Sequence, residues 1–160
     1  MKLPGSGRLV ELRPGELPLF LRIFSVLLLT VAGHTLLETA RDALFLSRLA
    51  PRMLALVYVS AAVGMFVVTP LGVRLTRRAG ARNALVLSLL STAVGAFWFR
   101  IREPTEGVVF ALYVFGTLSA TLLIGQCWLL ASTSFTAAQS RRVSGPLAAG
   151  GVCGAVAGAS

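Results

Sequence analysis

Residues 17–42 read LPLFLRIFSVLLLTVAGHTLLETARD: twenty-one positions from Leu17 to Leu37 broken by one charge, Arg22, then a cluster of polar side chains. At 1.5 Å per residue the apolar part is about 30 Å long, the thickness of a bilayer's hydrocarbon core. A basic start followed by an apolar run also occurs in signal peptides. This run is too long for their hydrophobic region, and no A-x-A cleavage site follows it. It is expected to be an uncleaved first span.

Three similar runs follow, Met53–Val73, Asn83–Phe99 and Val108–Ala131. A fifth, shorter run opens at Ser144-Gly145-Pro146, where Pro suits a first helical position. Pro70 is expected to kink the second span. Phe97, Trp98 and Phe99 close the third and suit a headgroup boundary. The expected fold class is all-α, a polytopic transmembrane helix bundle of about five spans near residues 17–40, 53–73, 83–101, 108–131 and 146–160. A polar tail over residues 1–16 precedes it. The short fifth run has no polar flank after it, so the bundle reads as an incomplete part of a larger one.

Composition agrees. Of 160 residues, 56% are apolar and 13% charged, with mean hydropathy +0.81. A soluble domain is about a quarter charged, and so short a chain could not hide this much apolar surface from water. The net charge of +9 would suit nucleic acid in a soluble protein. Here the basic residues sit in short connections between apolar runs, so the expected partner is the lipid bilayer and no nucleic acid.

Those connections set the orientation. Lys2, Arg8, Arg13, Arg22, Arg74, Arg77, Arg78, Arg82, Arg141 and Arg142 fall on one side, and Arg41, Arg48, Arg52, Arg100 and Arg102 on the other. Ten against five places the N-terminus in the cytoplasm by the positive-inside rule.

Few residues offer chemistry. His34, Glu38, Arg41 and Asp42 fall within about 100° of helix circumference, and Thr30 extends the stripe. Charged groups on an apolar helix are costly in lipid and should face a water-filled cavity or each other. Arg41 could hold a phosphate or carboxylate in a fork, with Glu38 and Asp42 fixing it or carrying a proton. The competing reading is a solvated helix end: Arg22 and Arg41 lie 19 residues apart, about 28 Å along a helix. Gly150, Gly154 and Gly158 recur every fourth residue, a spacing for close helix packing. Cys127 and Cys153 belong to no metal-ligand spacing, and no catalytic motif is present. No enzyme activity, metal or cofactor is expected.

The segment Leu36-Leu-Glu-Thr-Ala-Arg41-Asp42-Ala-Leu-Phe-Leu resembles the first span of the ATP/ADP translocase-type nucleotide transporters, which are major facilitator-like. So does Trp128, followed by Arg141-Arg142 and Pro146-Leu-Ala-Ala-Gly-Gly151. The stretch from Gly72 to Arg82 resembles the loop between spans two and three of major facilitator transporters, without its acid and with its glycines one residue farther apart. The resemblance implies the N-terminal portion of a major facilitator-like fold and alternating access, with a substrate phosphate contact at Arg41. It also implies a bacterial inner membrane and a remaining transporter half as partner. Where nucleotide exchangers carry a Glu in span four, this sequence has Gly116 and Thr117, so the expected substrate is a nucleotide or another anionic solute. The alternative is a non-transporting membrane anchor or sensor module of a larger multidomain protein.

Overall fold

The computed structural model describes residues 16–160, and the polar tail over 1–16 therefore lies outside the described residues except for Glu16. The chain forms five helices and, among the described residues, no strand: α1 Leu17–Arg48, α2 Met53–Ala79, α3 Ala81–Arg100, α4 Glu106–Ser134 and α5 Ala137–Ala159. The all-α bundle expected from the apolar runs is the architecture found. Helices are the natural answer to such runs, because lipid offers the backbone no hydrogen bonds and each helix satisfies its own. Helices α1 to α4 are long and apolar enough to cross a membrane; α5 is not among them. Their outer surfaces suit lipid: Phe66 is 83% exposed, Leu46 73% and Val94 69%. In water such surfaces would aggregate. The chain is a multi-pass membrane protein.

The helices overrun the apolar runs. Helix α1, with 32 residues, would measure about 48 Å, well beyond the hydrocarbon core. The basic stretch after the second run is not a loop. Arg74, Arg77 and Arg78 complete α2, Arg82 begins α3, and Gly80 alone separates the helices. Gly80 has φ +81° and ψ 160°, a backbone region that essentially only glycine adopts. Helix α2 continues through Pro70.

The fifth helix also starts earlier than its apolar run. Thr136 caps it, accepting a hydrogen bond from the Gln139 amide while the Gln139 side chain accepts one from the Thr136 amide. This reciprocal cap satisfies two end groups and outweighs the Ser144-Gly145-Pro146 start signal. Pro146 therefore lies inside α5 rather than at its first position.

Helix α4 is the central element, packing against α1, α2 and α3, while α5 packs against α1. Three apolar clusters line up along it. Phe20, Ile23, Ala131, Phe135, Val143 and Leu147 join α1, the end of α4 and α5 at one end. Leu27, Leu85, Leu123 and Cys127 join α1, α3 and α4 in the middle. Phe45, Val57, Val109 and Tyr113 join α1, α2 and α4 at the other end. The end at which α1 and α5 begin is basic. There Glu16 accepts a 2.9 Å hydrogen bond from Gln139 Nε2 and pairs with Arg142 at 3.6 Å.

The glycines of α5 do what their spacing suggested. A Cβ at Gly154 would fall on the Leu28 carbonyl oxygen, and one at Gly158 on that of Ala32. The α1 and α5 backbones meet because both positions lack side chains.

Candidate functional site

Arg41 lies two helical turns before the end of α1 and faces α4. It is only 5% exposed, so it is not a solvated helix end. Every part of its guanidinium is engaged. Nη2 donates to Glu38 Oε1 at 2.8 Å, Nε to Asp42 Oδ1 at 3.3 Å, and Nη1 to Thr117 Oγ1 on α4 at 3.0 Å. Its flat face stacks on Tyr113, with the guanidinium carbon 4.3 Å from the ring centroid.

Helix α4 provides this seat through three residues within about one turn, Tyr113, Gly116 and Thr117. Tyr113 offers the ring. Thr117 donates its hydroxyl hydrogen back to the Tyr113 carbonyl at 3.0 Å, leaving the oxygen's lone pairs free to accept from Arg41. Gly116 leaves room for the side chain, since a Cβ there would lie 3.1 Å from Arg41 Nη1. Tyr113 is held in turn, edge-on, by Phe45 of α1 at 5.1 Å and by Tyr58 of α2 at 6.4 Å. Three helices thus meet in one layer around Arg41.

The two carboxylates are more open. The Glu38 and Asp42 side chains are 44% and 48% exposed, against 6% for that of Arg41. A cation is therefore enclosed and two anions flank it at the surface. Fully ionised, the three groups sum to one negative charge. An arriving anion meets the carboxylates before the guanidinium, and must displace one of them to gain a two-pronged contact.

The four-residue stripe does not face one cavity. His34 Nε2 lies 3.6 Å from Glu38 Oε2, but His34 lines a separate cavity of about 250 Å3 between α1, α3 and α4, beside Thr30, Thr92 and Leu123. Glu38 bridges the two environments, and Arg41 and Asp42 belong to the α1–α4 contact.

Sequence reasoning missed Tyr113 and Gln126. Tyr113 gives no signal in an apolar run, where an aromatic is usually packing. Gln126 did carry one: it is the only Asn, Gln or charged residue between Glu106 and Gln139. It is 5% exposed, and both its amide atoms lack a hydrogen-bond partner among the described residues.

Among the described residues no group of His, Cys, Asp and Glu is placed to hold a metal, and Cys127 and Cys153 are free thiols. Comparison with family models, characterised proteins and solved structures gives no match. The functional reading therefore rests on the chemistry of the site itself.

Proposed function

We propose that this chain forms part of a membrane transporter of the major facilitator type that moves an anionic solute, a nucleotide among the candidates, by alternating access. The observation that carries the reading is the buried Arg41 cluster at the crossing of α1 and α4. An arginine at the centre of a span costs about 2.5–3.5 kcal/mol by insertion scales, less toward its ends, and ionisable residues within spans usually mark solute or proton paths. An arginine also suits a phosphate or carboxylate better than any other side chain.

The packing pattern supports the same reading. Helices α1 and α4 pack on each other, α5 packs on α1, and α2 packs on α4. Exchanging α1 with α4 and α2 with α5 leaves these three contacts unchanged. Such an exchange is what an inverted repeat produces, with the site near the repeat interface. In this reading the N-terminus is cytoplasmic, the membrane is a bacterial inner membrane, and a second transporter half completes the path.

One observation favours a second reading. The guanidinium already has two carboxylates, a hydroxyl and a ring, which is the pairing of a structural clamp in an anchor or sensor module. Uptake by the full-length protein in liposomes separates the two. A panel of phosphorylated and carboxylated solutes should include one that accumulates, and Arg41→Ala should abolish that accumulation. Normal uptake by the variant would refute the role of Arg41, and no uptake of any anion would favour the clamp.

A further inference from the structure

Between α2 and α4 lies a cavity of about 420 Å3, within the roughly 300–1,000 Å3 of ordinary ligand sites. Its walls include Met65, Thr69, Gly72 and Arg77 of α2 and Leu122 and Gln126 of α4. A second cavity of about 370 Å3 shares Met65 and Thr69 with it and continues past Phe66 to Ala62. The two form one groove along α2, largely apolar, with a cation at one end.

Two features show that it is not merely a packing gap. Gln126 is buried with neither amide atom bonded to any described residue, although an unpaired buried amide costs roughly 1–3 kcal/mol. Arg77 is exposed at the mouth and has no ion-pair partner among the described residues. The groove therefore offers an unused cation at its mouth, then a wall that holds an unpaired amide just beneath its surface, then an apolar channel.

The spacing matches one kind of molecule. Gln126 Nε2 lies level with Gly72, 3.9 Å from where a Cβ on that residue would be. Gly72 is five residues from Arg77, about 7.5 Å deeper along the helix. Ala62 is fifteen residues from Arg77, about 22 Å, which is half of a bilayer about 40–45 Å thick including headgroups. Phosphate, glycerol ester and acyl chain follow each other in that order and over that depth in a phospholipid. Arg77 also stands beside Arg74 and Arg78 at the bundle's basic end, where it meets the headgroups of one leaflet.

We infer that the α2–α4 groove holds one anionic phospholipid from that leaflet, with its phosphate on Arg77, its glycerol ester oxygens level with Gln126, whose buried amide turns outward to meet them, and an acyl chain over Thr69, Met65 and Ala62. The site is distinct from the Arg41 cluster and stands whether or not the chain transports a solute.

The test is native mass spectrometry of the full-length protein taken from vesicles of phosphatidylcholine with a minority of phosphatidylglycerol. The wild type should retain one phosphatidylglycerol in preference to the abundant neutral lipid. Arg77→Gln should lower that retention about fivefold, the effect of one interfacial cation. Gln126→Leu should lower retention as well, yet leave thermal stability in lipid-free detergent unchanged or raised, because it removes an unpaired amide. Equal retention of the two lipids, no retained lipid, or retention indifferent to both substitutions would each overturn the assignment.

Discussion

Arg41 on α1 and Thr117 on α4, 76 positions apart in sequence, are joined by a 3.0 Å hydrogen bond between the guanidinium Nη1 and the threonine hydroxyl. The bond ties the one buried arginine among the described residues to the helix that organises the bundle. It sits where α1, α2 and α4 share the aromatic layer of Phe45, Tyr58 and Tyr113. Charge and packing are therefore coupled at this point.

Thr117→Val keeps the shape and removes the hydroxyl. It should cost about 1 kcal/mol, the usual net worth of one hydrogen bond, seen as a drop of a few degrees in the thermal midpoint followed by circular dichroism in detergent. Arg41→Met should cost more, because Glu38 and Asp42 then face each other uncompensated. Both carboxylates are nearly half exposed, so the loss should stay below the roughly 3–5 kcal/mol of a fully enclosed pair. Adding Glu38→Gln and Asp42→Asn to Arg41→Met should restore part of the stability. A triple variant no more stable than Arg41→Met would show that charge compensation is not what the cluster supplies.

Gly154→Ala should cost about 2–3 kcal/mol, since the new methyl group meets the Leu28 carbonyl oxygen and backbone cannot yield as a side chain can. Gly151→Ala is the control. Its Cβ would make ordinary contact with Leu27 Cδ2 at 3.9 Å, so it should be neutral or gain up to about 1 kcal/mol from helix propensity. Equal midpoints for the two variants would contradict the close approach of α1 and α5.

Gly80→Ala should cost about 1–3 kcal/mol, although nothing crowds the position, because its backbone lies in a region closed to side chains. Gly107→Ala, in the first turn of α4 with equally open space, should be neutral or gain up to about 1 kcal/mol from helix propensity. The contrast, read from thermal midpoints, separates backbone strain from packing.

A periplasm-dependent reporter fused after Arg82 should be inactive, and one fused after Glu103 active. The structure sharpens the charge count behind this expectation. Arg41 is buried in the bundle, so it leaves the connections on its side and the bias becomes ten against four. An active fusion after Arg82 would invert the topology.

Length and composition alone determined that the chain is helical, belongs in a membrane and turns back on itself somewhere within residues 41–52, 74–82, 102–107 and 132–145. The physical reason is local. Lipid demands that each segment satisfy its own backbone, so an apolar run of sufficient length can only be a helix. The four-residue glycine spacing was legible for the same reason, because it depends on one helix's own periodicity. Helix ends were not, since the Thr136–Gln139 cap and the basic C-terminal turns of α2 depend on end-group hydrogen bonding rather than hydropathy. The site was half legible. Sequence periodicity put His34, Glu38, Arg41 and Asp42 on one stripe, but periodicity describes one helix and not its neighbours. Only packing decided that Arg41 turns to Tyr113 and Thr117, that His34 lines a different cavity, and that Gln126 is left unpaired beside Gly72. Each of these depends on residues far away in the chain meeting across a helix interface, where charge and hydrogen-bonding groups find their partners in space.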